Sequence, residues 1–178
     1  MSKLSVGLGL LMALTLMVTA GCATHKLADP DNINYGLIYG HIEGGRTRVI
    51  TLYFAKDKQR VVLPFTGLNA TVDEMGFYVV ENVEPGKYYI VGLSDGMRTL
   101  LVAAESRESG VVTVAPKQAA YVGSFMAEIP RSAAYDDNVR FVLKPLNQPS
   151  QAQLRERLKK RIQGTGWESY LPPETSNP

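Results

Sequence analysis

The sequence predicts a mainly β protein, a single β-sandwich of about seven to nine strands followed by one C-terminal α-helix. Three observations predict it. From residue 33 the chain runs as short stretches of Val, Ile, Leu, Tyr and Phe separated by Gly, Pro, Asp and Asn, the pattern of a sandwich or barrel. Sixteen glycines and nine tyrosines among 178 residues point the same way. Near residue 150 the apolar spacing changes from the strand period to the helix period.

Taken in order, NYGLIYGHI sets Tyr35, Leu37, Tyr39 and His41 on one face of a first strand, and Gly44-Gly45 turns the chain. In RVITLYF, residues 48–54, Ile50, Leu52 and Phe54 alternate with Val49, Thr51 and Tyr53, so both faces are expected to be covered. Lys56-Asp57-Lys58 is a charged turn, and residues 61–65 form the next strand, with Pro64 placing it at an edge or bulge. Residues 77–80 and 88–93 are strands joined through Pro85-Gly86, a structural turn in which proline presets φ at i+1 and Gly86 supplies the positive φ of a type II turn at i+2. Asp95-Gly96 turns the chain again, and residues 98–104, 111–114, 119–126 and 139–143 complete the strands.

The N-terminus has another logic. A charged start, Met1-Ser2-Lys3, is followed by uncharged residues 4–20, LSVGLGLLMALTLMVTA. That run is short of the roughly 20 residues that cross a bilayer, and its small-residue end has the form of a secretory signal peptide. Thr19-Ala20-Gly21-Cys22 then resembles the lipobox of bacterial lipoproteins, and Cys22 is the only cysteine of the chain. The resemblance implies cleavage before Cys22, acylation of its thiol, and attachment to a membrane of the cell envelope. In a diderm host, Ala23 after the cysteine implies the outer membrane, facing the periplasm. Acylation also leaves no thiol for a disulfide. Residues 22–32, ending in ADPDN, are polar and proline-broken and are expected to tether the lipid to the domain.

YGHIEGG, RVITLYF and GFYVVENVEPGKYYIVGL together resemble the transthyretin-like sandwiches of carboxypeptidase regulatory and Cna-B-type domains. Gly40, Ile42, Gly76, Tyr78, Asn82, Pro85, Gly86 and Tyr88 stand at the positions of that family's strand and hairpin motifs, with Glu84 where a second proline is common. The resemblance implies a transthyretin-like β-sandwich over residues 33–146 and carries no catalytic residue.

Residues 147–164 are expected to hold the helix. Ser150 and Gln153 form a capping box, Leu154, Leu158 and Ile162 make an apolar stripe, and Gly164 stops the helix. Arg155, Arg157, Lys159, Lys160 and Arg161 are expected to stay outward, and Arg155, Lys159, Lys160 and Arg161 are the candidate partner-binding residues. Residues 165–178 are expected to form a flexible tail.

Lys and Arg number 19 against 17 Asp and Glu, a net charge of +2 that sets up no strong field toward nucleic acid. With two histidines and no usable thiol, zinc sites and Ser/His/Asp or Cys/His catalysis lack their ligands. Asp136-Asp137-Asn138 lacks the spacing of a calcium loop. The expectation is a lipid-anchored binding or scaffolding protein of the cell envelope that is not an enzyme and uses no cofactor or metal. Its partners are the membrane, through lipid on Cys22, and an envelope protein or glycan. The alternative is a polymer hydrolase using carboxylates among Asp73, Glu74, Glu81 and Glu84. Two of these converging in a cleft would favour hydrolysis.

Overall fold

The computed structural model describes residues 27–45, 47–56, 67–130 and 140–171. Cys22, His25, the strand expected at residues 61–65, Pro64 and Asp136-Asp137-Asn138 lie outside these residues. The protein is mainly β, with nine strands and one C-terminal α-helix among the described residues. The strands are β1 Gly36–Gly44, β2 Thr51–Lys56, β3 Leu68–Thr71, β4 Phe77–Val83, β5 Gly86–Ser94, β6 Thr99–Val102, β7 Val111–Val114, β8 Ala119–Glu128 and β9 Arg140–Pro145. Hydrogen-bonded neighbours follow the order β3-β2-β5-β6-β9-β8-β1-β4, with β7 beside β5. Most pairs are antiparallel, but β1 with β8 and β6 with β9 are parallel.

The two halves of this sheet, β4-β1-β8-β9 and β3-β2-β5-β6 with β7, face each other across one apolar core. Ile38, Ile42, Leu52, Phe54, Ile90, Leu93, Phe141 and Leu143 all fall in that cluster. β1 is buried on both faces: Ile38 and Ile42 enter the core, while Leu37 and Tyr39 enter a second cluster on the opposite side. β2 departs from expectation. Leu52 and Phe54 are buried, while Thr51, Tyr53 and Ala55 on the other side of the strand remain half-exposed. The expected alternation holds for Leu52 and Phe54 within β2 but fails at residues 49 and 50, where Val49 joins the core and Ile50 is exposed.

Pro85-Gly86 is also placed differently. β4 pairs with β1, whereas β5 pairs with β2, β6 and β7, so the connection crosses from one half of the sandwich to the other instead of closing a hairpin. Gly86 has φ +155° and begins β5, away from the +80° of a type II turn. The left-handed residue here is Asn82, φ +54°. The Tyr88 hydroxyl donates to the Glu84 carbonyl at 2.9 Å and fixes the corner.

The helix, α1 Gln151–Ile162, starts with the expected capping box: Gln153 N–H donates to Ser150 Oγ at 3.3 Å and Ser150 N–H to Gln153 Oε1 at 2.7 Å. Gly164 takes φ +78° just past its end. Leu154, Leu158 and Ile162 are at most 1% exposed and pack with Leu37, Tyr39 and Phe77. The expected flexible tail requires correction at its start. Gly166–Tyr170 form a 3-10 turn in which Trp167 is fully buried and Tyr170 nearly so. The three aliphatic residues of α1 leave part of the outer face of β1 and β4 open, and the two rings extend the cover.

Candidate functional site

The N-terminal segment, the C-terminal turn and the edges of β3 and β4, which end the strand order among the described residues, meet on one side of the domain. The 3-10 turn holds residues 27–33 by contacts about 137 positions apart in sequence. Trp167 Nε1–H donates to the Ala28 carbonyl at 2.6 Å, Gly166 N–H to Asp29 Oδ1 at 2.7 Å and the Tyr170 hydroxyl to the Ile33 carbonyl at 3.4 Å. Leu27 N–H reaches the carbonyl of Arg161 at 3.3 Å. Asp31 and Asn82 exchange two bonds, Asp31 N–H to Asn82 Oδ1 at 3.0 Å and Asn82 Nδ2 to Asp31 Oδ2 at 2.8 Å. Pro30 lies so close to Gly166 that a Cβ there would sit 2.9 Å from Pro30 Cδ. The last part of the expected tether is therefore docked on the domain. Neither ADPDN nor GWESY carries a periodicity that announces the contact, because it runs through carbonyls, one carboxylate and one indole N–H.

The five basic residues of α1 do not form one free face. Lys159 pairs with Glu156 at 2.6 Å, and the Arg161 guanidinium lies 5.4 Å from the centre of the Phe77 ring. Arg155 and Arg157 are half-buried, with Arg157 Nη1 enclosed and without a hydrogen-bond partner among the described residues. Lys160 is the exposed member. Long aliphatic stems explain the difference, since arginine covers apolar surface while its head stays at the edge.

Between β3 and β4 the strand ladder is interrupted. β3 pairs along its length with β2 and β4 with β1, and a single bridge, Val72↔Tyr78, joins the two. Beyond that bridge they separate around a groove of about 650 Å³. Leu68, Asn69, Ala70 and Thr71 line one wall and Val79, Val80 and Glu81 the other, with Leu27 and Arg161 at the rim. Sequence reading missed this groove because it missed β3: LNAT is four residues long and has one fully buried side chain, Ala70.

The carboxylates considered for hydrolysis are apart in function. Asp73 Oδ1 accepts from the N–H groups of Met75 and Phe77, both at 2.9 Å, and closes a turn. Glu74 faces Arg48 at 3.7 Å on an exposed surface. Glu84 binds Lys56 Nζ at 2.9 Å, and this bond holds the exposed carboxylate below its usual range. Glu81 alone of the four lines the groove. Among the described residues no group of three His, Cys, Asp or Glu side chains is placed to hold a metal ion.

His41 is 2% exposed, with Nε2 3.4 Å from Glu43 Oε1 and Nδ1 without a partner among the described residues. Burial lowers its pKa and the charge of Arg157 adds to this, against Glu43, the Met75 backbone and Asp73, which act in the opposite direction. Gly76, φ +77°, allows the approach, because a Cβ there would lie 2.7 Å from His41 Nε2. The arrangement is a buried histidine of β1 whose charged form is disfavoured.

No protein-family model, curated protein or solved structure matches this chain. The family resemblances therefore rest on the motif residues themselves.

Proposed function

We propose that this protein is a lipid-anchored binding or scaffolding component of the cell envelope, built on a transthyretin-like sandwich and held to the membrane by acylated Cys22. Its protein partner is met at the strand edges of the β3–β4 groove. The observation that carries this reading is the interrupted ladder. Among the described residues the two strands form no ladder with each other beyond the Val72↔Tyr78 bridge, and an extended segment of a partner adds to such edges through main-chain hydrogen bonds, while its side chains fill the space between. The volume of about 650 Å³ falls within the range of sites that bind small ligands or a few residues of a peptide. Binding is favoured over carboxylate hydrolysis because Glu81 is the one acid that lines the groove among the described residues, and glycoside cleavage of the usual kind needs two.

The test places a photo-crosslinking residue at Asn69, in the groove wall, or at Thr113, on the exposed side of β7, in the full chain expressed in its host. A discrete crosslinked partner from Asn69 and none from Thr113 is the expected result. The absence of any Asn69-specific product, or the same products from both positions, would refute binding at this edge. Intact mass of the membrane form tests the anchor: an unmodified Cys22 thiol in the processed chain would refute it.

A further inference from the structure

We infer that the docked N-terminal segment fixes the orientation of the domain on a lipid surface, with the rim formed by Leu27, Lys160 and Arg161 turned toward the headgroups. This rests on the anchoring of Cys22 proposed above, and takes it further by naming the face that meets the membrane.

The argument is one of chain length. If all of residues 22–32 were a free linker, the attachment point could lie almost 40 Å from the domain, at the roughly 3.3–3.6 Å per residue of a fully extended chain. A domain of about 150 residues has a radius of gyration near 15 Å, or roughly 40 Å across, so it could turn any side to the lipid. The contacts at Leu27, Ala28, Asp29, Asp31 and Ile33 remove that freedom. Only residues 23–26 then separate Cys22 from Leu27. Whatever path they take, five steps of the chain span at most about 18 Å. The far side of the domain cannot reach the surface on that leash.

The face that remains within reach has suitable chemistry. Leu27 is bonded to the backbone of Arg161, the exposed Lys160 is the next residue, and Lys26 precedes Leu27 in sequence. Glu81 lines the groove at this rim, and the carboxylates of Asp29 and Asp31 in the docked segment accept from Gly166 N–H and Asn82 Nδ2. The exposed Lys160 is drawn to anionic headgroups over about one Debye length, roughly 8–10 Å, and the leash of at most about 18 Å keeps this face within about two such lengths of the lipid. The same placement sets the mouth of the β3–β4 groove beside the membrane, since Leu27 and Arg161 line both.

The experiment uses the full chain, processed and purified from membranes, with acylation of Cys22 checked by intact mass. It is reconstituted into vesicles of phosphatidylethanolamine and phosphatidylglycerol that carry a headgroup-attached fluorescence quencher. Acylated Cys22 leaves no other cysteine, so a single fluorophore can be placed at Lys160→Cys or at Lys144→Cys. Lys144 is on β9, which the order β9-β8-β1-β4 sets three strands from β4, roughly 14 Å by strand spacing alone. The label at 160 should be quenched several-fold more than the label at 144, and the D29A/D31A double variant should bring the two together. Equal quenching in the protein with its clamp intact would overturn the orientation. A difference that survives D29A/D31A would overturn the clamp as its cause. An unacylated Cys22 would instead overturn the anchoring reading, and this inference with it.

Discussion

Replacing Trp167 tests whether the C-terminal turn is a structural part of the domain. Trp167 is the only tryptophan, is fully buried, meets the Tyr170 ring edge-on with centroids 4.7 Å apart, and donates from Nε1 to Ala28 at 2.6 Å. Trp167→Ala removes the ring from a packed site, and such changes cost about 3–5 kcal/mol. Trp167→Phe keeps an aromatic ring but leaves the Ala28 carbonyl without its donor, at about 1–3 kcal/mol. The assay is urea unfolding followed by far-UV circular dichroism, because the substitutions remove the intrinsic fluorophore. With a slope near 2 kcal/mol per molar, in the range usual for small domains, the alanine variant should unfold about 2 M earlier than wild type. Before substitution, the native fluorescence should be blue-shifted and resistant to iodide. An alanine variant within about 0.5 kcal/mol of wild type at unchanged slope, a change typical of surface positions, would refute the argument that this ring completes the second core.

Three further outcomes follow from the same geometry. His41 has a folded pKa below its ordinary 6.5, so the unfolded chain takes up a proton that the folded chain refuses. Stability should be full above about pH 6.5 and fall as the pH drops toward the folded value, and His41→Gln should flatten that part of the curve measured by chemical denaturation. Gly76→Ala forces a Cβ to 2.6 Å from the Ile42 carbonyl at φ +77° and should lower stability by at least ~1–3 kcal/mol, with an unchanged melting temperature counting against the assigned backbone. Ser150→Ala removes the cap from Gln153 N–H and should cost about 1 kcal/mol, read as a matching shift in the denaturation midpoint.

Local rules made much of the fold legible in the sequence. The alternation in β1, the capping box at Ser150 and the stop at Gly164 each involve residues within a few positions of one another, so the pattern carries the information. The apolar stripe of α1 was legible for the same reason. β3 escaped because a four-residue strand with Asn69 and Thr71 exposed has too few periods to read. The connection at Pro85-Gly86 was misread because a turn dipeptide does not say which partners the flanking strands choose. The clamp on residues 27–33 could not be read at all, since Asp29 and Gly166 or Ala28 and Trp167 meet only after both cores have formed. Charge pattern also misled: arginines counted as an outward face proved to be the flanks of a packed helix, with Arg161 laid over Phe77.

The place of β1 in the sheet has a consequence for how the chain can be made. It is the first strand in sequence, yet it lies between β4 and β8, and its parallel register sets Leu37 opposite Ala119. Its other apolar face waits for Trp167 and Tyr170. During synthesis from the N-terminus, a strand that is greasy on both sides therefore emerges long before its parallel neighbour β8 and the cover of its outer face. Such non-local pairing folds slowly, and the waiting surface is open to aggregation. Chains stopped before β8 should be substrates for chaperones, and the native state should form only after nearly the whole chain has been released.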